Sequence, residues 1–145
     1  MQEFPHRYQV TATAGPEENV TLESPGLEDL PSAAPPEFGG PGDQWSPETL
    51  LAAAVADCFI LSFRAVARAS KFDWISLSCD VEAILERVEK VTQFTEFRET
   101  VVLEVPPGTD EAKALRLLER AEHVCLVTNS MTGTTHLDAT VRMTE

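Results

Sequence analysis

The stretch SPETLLAAAVADCF, residues 46–59, predicts a capped, apolar helix that carries a cysteine. Ser46 is a good N-cap, and Pro47 suits the first helical position because the N–H it lacks would have no partner there. Glu48 in the first turn suits the positive end of the helix dipole. We expect this helix to run to about Ala69 and, because it is apolar nearly all round, to be buried on several sides.

Alternating apolar positions predict strands on both sides of this helix. In chain order we expect strands over 7–14 and 19–23, a long loop over 25–44, the helix over 47–69, strands over about 75–85 and 92–105, a helix over 111–125, and a strand over 137–143. Strand pairs joined by short turns indicate antiparallel pairing, so the predicted class is α+β with antiparallel sheets. The length of 145 residues favours a single domain over 1–145.

Composition excludes several classes of partner. The 24 acidic and 11 basic residues give a formal net charge of −13, which repels nucleic acid and anionic membrane surfaces. The polar N-terminus lacks the apolar run of a secretory signal, and we expect no segment that approaches the ~20 apolar residues of a membrane span. The expected location is therefore the cytoplasm.

Three cysteines are the residues most able to carry chemistry. Cytoplasmic thiols are kept reduced, so a static disulfide framework is not expected. Cys58 is either a small buried hydrophobe or a reactive thiol, and Cys79 on the apolar face of a strand is expected to be merely buried. Cys125 ends a helix beside a loop, where exposure is easier, but it also continues the apolar stripe of Leu118 and Ala121, which predicts core packing instead. Cys58 and Cys125 can act as a redox pair if the fold brings them together.

Other kinds of site have little support in the sequence. The paired ligand spacing of a structural zinc site is absent, and only His123 and His136 accompany Cys125, so we expect no metal. Phosphate loops and nucleophile elbows are also absent, and no cofactor is expected. The simplest interpretation of Glu48 is a charge that stabilises the start of the helix. Since it precedes Cys58 by ten residues, ~15 Å along one helix, it can serve the same site only through a second chain or an intermediary.

The helix resembles the motif of the OsmC/Ohr superfamily, the osmotically inducible protein C and organic hydroperoxide resistance proteins. That motif is an (N/S)-P-E-x-L stretch followed by small residues and C-F, and the interval of ten from Glu48 to Cys58 matches it. The second cysteine of the superfamily follows a late helix, as Cys125 does here. The resemblance implies an intertwined homodimer in which antiparallel sheets surround a long buried central helix, with active sites at the dimer interface.

The resemblance also implies an activity. Peroxidatic members of the superfamily reduce organic hydroperoxides with two cysteines, an external dithiol reductant and no bound cofactor. By that match Cys58 attacks the peroxide, Cys125 resolves the sulfenic acid, and Glu48 orients an arginine. Apolar neighbours of Cys58 such as Phe59 and Leu51 would favour organic hydroperoxides over hydrogen peroxide.

One departure from the superfamily pattern concerns that arginine, which in the best-known members lies in or near the N-terminal hairpin turn. The corresponding stretch, residues 15–20, contains two glutamates and no arginine, so the chain is closer to a divergent OsmC-like branch. Arg7, Arg64 or Arg68 could substitute for it. The alternatives are a non-catalytic stress protein that binds a small apolar ligand or a partner, and a purely structural protein.

Overall fold

Six strands, three α-helices and one 3-10 turn make up the structure, a computed structural model that describes all 145 residues. In chain order they are β1 (Thr11–Thr13), β2 (Val20–Glu23), β3 (Leu30–Ser32), the 3-10 turn (Pro36–Phe38), α1 (Pro47–Ala69), β4 (Ser76–Val88), β5 (Val91–Val105), α2 (Glu111–His123), α3 (Leu126–Asn129) and β6 (Thr134–Met143). They group into two compact units, residues 1–50 and 51–145. The predicted α+β class is confirmed.

The first unit holds a small antiparallel sheet in the order β1-β2-β3. The predicted N-terminal hairpin forms, although its first strand covers only three exposed residues. The prediction of an unbroken loop over 25–44 is wrong, because it contains β3 and the 3-10 turn. Pro31 makes this strand hard to predict from the sequence. Proline is tolerated in a strand only where its missing N–H faces away from the ladder, as on an edge strand.

The second unit holds the larger sheet, in the order β4-β5-β6. A tight turn at Glu89 and Lys90, both with positive φ, joins the long antiparallel pair β4 and β5. β6 pairs with β5 in parallel, which corrects the expectation of purely antiparallel sheets. The segment between them carries α2 and α3, and a helical crossover of this kind is what a parallel pair requires.

The core of the second unit lies between α1, the inner face of this sheet and α2. Its largest members have no exposed surface: Phe59 and Phe63 from α1, Leu103 from β5 and Leu118 from α2. On α1 the buried residues are spaced along one stripe, Val55, Phe59, Phe63, Val66 and Ala67. Burial of α1 on several sides is thus not seen within one chain, since Leu61 is 51% exposed.

Helix α1 is also long and apolar enough to cross a membrane by length and composition alone. The expectation that no segment approaches a membrane span is wrong on this criterion. The core helix of a soluble protein passes the same test. The stripe of α1 that packs into the core fits that explanation.

The predicted cap of α1 is confirmed and is reciprocal. The Thr49 N–H donates to Ser46 Oγ at 3.1 Å, and the Ser46 N–H donates to Thr49 Oγ1 at 2.9 Å. Two backbone donors that the helix cannot satisfy thereby gain partners, in the manner of a capping box. Ser46 is only 1% exposed, so water cannot replace its hydroxyl.

We expect Ser46→Ala to lower the free energy of unfolding by about 1 kcal/mol, the usual cost of removing such a cap. The exposed Ser78 on β4 provides a matched control, since Ser78→Ala removes the same hydroxyl without touching a helix end. Urea unfolding followed by circular dichroism measures both. Equal losses in the two variants would contradict a special role for the cap.

Candidate active site

Cys58 lines a surface groove of about 470 Å³ in the second unit. The lining residues come from successive turns of α1 and from α3: Ala54, Asp57, Cys58, Leu61, Ser62, Ala65, Leu126 and Val127. The Cys58 side chain is half-buried, and its Sγ lies 3.8 Å from Ser62 Oγ one turn later. The predicted apolar neighbours Phe59 and Leu51 are not among the residues that line the groove, since Phe59 is fully buried and Leu51 lines a different pocket. The groove is nevertheless mostly apolar, so it offers the thiol to an apolar molecule.

Cys125 has no exposed surface and stands at the N-cap of α3. Of the two interpretations of Cys125, core packing is confirmed, whereas its placement at the end of α2 in an easily exposed position is wrong. Helix α2 ends at His123, Val124 forms its C-cap, and the backbone of Cys125 is extended. This break turns the chain so that the Cys125 side chain points into the protein.

The fold brings Cys58 and Cys125 together. Burial raises the pKa of the Cys125 thiol, and the nearby Cys58 thiol raises it further. The N–H and hydroxyl of Thr128 oppose this shift, and the same hydroxyl donates to the Cys125 carbonyl oxygen at 3.2 Å. One sulfur is therefore open to the groove, and the other is close to it and fully buried.

Cys79, the third cysteine, lies on β4 opposite Val101 of β5. Burial raises the pKa of its thiol to about 12, with further contributions from Glu99, Asp80 and Cys125. A thiol with so high a pKa stays protonated at neutral pH, and only the thiolate is an effective nucleophile. Cys79 is therefore a packing residue rather than a candidate nucleophile.

Glu48 belongs to the first unit, where it lines a separate apolar cavity of about 540 Å³ together with residues such as Val20, Leu22 and Phe38. Its Oε1 atom is buried and has no hydrogen-bond partner. A buried carboxylate oxygen without a donor is costly, so this side chain calls for a cation or an N–H donor. No arginine lines the cavity.

Glu99 is a buried carboxyl that the sequence analysis did not single out. It is 1% exposed, and neither of its carboxyl oxygens has a hydrogen-bond partner. Burial raises its pKa to about 7, and Glu122 adds to the shift. A signal was present in the sequence, since the inward alternation of Val101 and Leu103 on β5, continued toward the N-terminus, includes position 99.

Comparisons with a family model and with known proteins agree on one family. Residues 40–140 match the family model described as OsmC-like protein. An organic hydroperoxide resistance protein from Xanthomonas axonopodis pv. citri is 32% identical over 136 residues, which cover 92% of this chain and 90% of that protein.

Two solved structures agree with this match. An OsmC-like protein of unknown function from Vibrio cholerae has a TM-score of 0.83 at 16% identity, covering 93% of this chain and 99% of that one. A protein from Legionella pneumophila described as organic hydroperoxide resistance protein OsmC has a TM-score of 0.68 at 29% identity, covering 95% and 99%. These likenesses confirm the expected OsmC-like fold with its long central helix. The match crosses the boundary between the two compact units, and a single domain over 1–145 stays a prediction.

Glu99 makes stability depend on pH. Its carboxyl is protonated more readily in the folded protein than in the unfolded chain, so stability is lost as pH rises from about 4.5 to about 7. The loss is on the order of 3 kcal/mol, because each pKa unit corresponds to about 1.4 kcal/mol. We expect Glu99→Gln to be more stable than the parent at pH 8 and to lose less stability between pH 5 and pH 8.

Urea unfolding at both pH values measures this difference. Glu82→Gln, which neutralises an exposed carboxylate on the adjacent strand β4, is expected to keep the parent pH dependence. If Glu99→Gln loses as much stability as the parent over this interval, the buried carboxyl is not the cause.

Proposed function

Because this chain belongs to the OsmC-like family, we propose that it is a thiol-dependent peroxidase that reduces organic hydroperoxides through Cys58 and Cys125. The observation that carries this proposal is the placement of the two sulfurs, with Cys58 on an apolar groove and Cys125 buried close to it. The similarity to relatives named for organic hydroperoxide resistance supports it.

In the first step the Cys58 thiolate attacks the terminal oxygen of the hydroperoxide. The O–O bond breaks, the sulfur gains the hydroxyl as sulfenic acid, and the alkoxide takes up a proton and leaves as an alcohol. The apolar lining, including Leu61 and Leu126, packs against the organic part of the substrate. This contact favours organic hydroperoxides over hydrogen peroxide, which has no apolar surface to bury.

In the second step the Cys125 sulfur attacks the Cys58 sulfenic acid. A disulfide forms, and the hydroxyl leaves with the thiol proton as water. The raised pKa of Cys125 works against this attack, since only the thiolate is an effective nucleophile, so the closeness of Cys125 to Cys58 is what supports the resolving role. An external dithiol then reduces the disulfide by exchange, and no cofactor takes part.

Glu48 is proposed as a positioning residue for a cation that assists the reaction. Its buried Oε1 lacks a partner, which supports a need for such a cation. The N-terminal hairpin turn contains no arginine, so Arg7, Arg64 and Arg68 remain the candidates for this cation. Arg64 and Arg68 are both exposed on α1.

We further propose that two copies of the chain form an intertwined homodimer in the cytoplasm. Leu61 is 51% and Leu126 is 70% exposed, and both line the groove beside Cys58. Covering such side chains removes apolar surface from water, at roughly 25 cal/mol for each Å². A second copy would also enclose the reacting sulfur.

A non-catalytic role is the second candidate. No cation is among the residues that line the groove, and a thiol needs a positive charge or hydrogen-bond donors to stay ionised. Without such help the groove would serve to bind a small apolar ligand or a partner. The two candidates differ in whether a hydroperoxide consumes thiols.

We expect one equivalent of cumene hydroperoxide to remove two of the three titratable thiols, and dithiothreitol to restore both. Thiol titration with a chromogenic disulfide measures this under denaturing conditions. Cys58→Ser should abolish the loss, because it removes the attacking sulfur. Cys79→Ser is the matched control and should still lose two thiols. Unchanged thiols in the parent protein would reject the peroxidase and favour the binding module.

For the dimer, light scattering after size-exclusion chromatography is expected to give about twice the chain mass of 15.9 kDa. Leu126→Asp should shift the protein toward the monomer, since it buries a charge in the proposed interface. Val91→Asp, at the exposed β4–β5 turn, is the comparison variant and should stay dimeric. A monomeric parent protein at micromolar concentration would overturn the assembly.

A further inference from the structure

One face of helix α1 stays exposed in a single chain and carries opposite charges at its two ends. Between positions 57 and 68 the exposed residues are Asp57, Leu61, Arg64, Ala65 and Arg68. Because successive helical residues point ~100° apart, these positions fall on one side of the helix, within about 100° of one another. Asp57 precedes the apolar Leu61, and both arginines follow it.

These charges have no partners within the chain. Asp57 and Arg64 are seven residues apart, about 10 Å along the helix axis, and neither they nor Arg68 take part in a salt bridge. Leu61 is 51% exposed, so the middle of the face leaves a large apolar side chain in water. Asp57 and Leu61 also line the groove beside Cys58, so the exposed face and the groove form one continuous surface.

A second copy of the chain offers this face a partner with the matching order of charges. Two identical chains usually associate about a two-fold axis, and a helix that packs antiparallel on its own copy meets the same residues in reverse order. With Leu61 on that axis, Asp57 stands one residue, ~1.5 Å along the helix, from the level of Arg64 of the partner subunit. A parallel pair of helices would instead set each Asp57 beside its own copy, and like charges repel.

We infer that a second copy of the chain packs its α1 antiparallel on this face, so that Asp57 of each chain pairs with Arg64 of the partner subunit. This α1 seam holds two equivalent ion pairs on either side of Leu61, whose side chain it removes from water. The seam depends on the homodimer proposed above and not on the peroxidase activity of Cys58.

The seam also changes the charge of the groove. The residues of one chain that line the groove include Asp57 and no cation. A guanidinium that pairs with this carboxylate neutralises it and adds hydrogen-bond donors at the same place, because its planar fork carries five N–H groups. Arg64 of the partner subunit thereby brings to the groove a positive charge that the lining of one chain lacks.

Exchange of the two charges tests the pairing. Asp57→Arg and Arg64→Asp each set like charges together across the seam, so each should raise the dimer dissociation constant at least about tenfold at low salt. The double variant Asp57→Arg/Arg64→Asp restores opposite charges between the chains and should return the constant to within about threefold of the parent value. Sedimentation velocity over a dilution series measures all three variants.

The two positions are ~10 Å apart along one helix, so recovery in the double variant can come only from contact between chains. Arg116→Asp makes the same charge change at an exposed position on α2 and is the matched control. It should leave the dissociation constant unchanged, which separates the local pairing from a change in net charge.

Leu61→Cys tests the register of the seam without altering a charge. The two introduced thiols can form a disulfide only near the two-fold axis, because the Cα atoms must lie within ~7 Å. Mild oxidation should therefore give a covalent dimer, which non-reducing electrophoresis and peptide mass spectrometry identify. Ala69→Cys, an exposed position about two turns further along α1, is the comparison variant and should stay unlinked.

The outcomes separate the seam from the other proposals. A double variant that dissociates as readily as the single variants, or a Leu61→Cys dimer that does not cross-link, would overturn the seam and leave the homodimer in place. A monomeric parent protein rejects the homodimer and the seam together. Recovery and cross-linking in a protein that does not consume cumene hydroperoxide support the seam and reject only the peroxidase.

Discussion

The rotation of α1 about its own axis is the constraint on which the candidate site depends. Successive helical residues point ~100° apart, so Asp57, Cys58 and Phe59 face three directions. Phe59 is fully buried in the core, Cys58 is half-buried at the groove, and Asp57 is exposed. Packing of Phe59 and Phe63 against the sheet thus decides where the thiol points. A change that rotated this helix would move the sulfur out of the groove.

The second sulfur is placed by a different device, a break between two helices. α2 cannot continue past Val124, and the extended backbone at Cys125 turns the chain before α3 begins. The same segment then reaches β6, which lies parallel to β5. One crossover therefore adds β6 to the edge of the sheet, covers the inner face of the sheet with α2 and brings the Cys125 thiol close to Cys58. The site is a consequence of the topology rather than of any local motif.

Features that depend on nearby residues could be predicted from the sequence. The cap of α1 at Ser46, the end of that helix at Ala69 and the alternation of β4, β5 and β6 are all local patterns, and the structure has them. Strand β3 was not predicted because it contains Pro31, and proline is unusual in any strand other than an edge strand. The parallel pairing of β6 and the inward turn of Cys125 depend on contacts between distant segments, which periodicity does not report. The helical connection before β6 did contain a signal for the parallel pair.

Two unusual features of the single chain have a common physical explanation. Leu61 and Leu126 leave apolar side chains in water, and Glu48 holds a buried carboxylate oxygen without a donor. Both raise the free energy of an isolated chain. The exposed leucines do so because water contacts their apolar surface, and Glu48 does so because its oxygen has lost water without gaining a hydrogen bond. A second copy can relieve both, because an interface supplies apolar cover and new donors together. The proposed dimer therefore accounts for the costs that the fold of one chain leaves uncompensated.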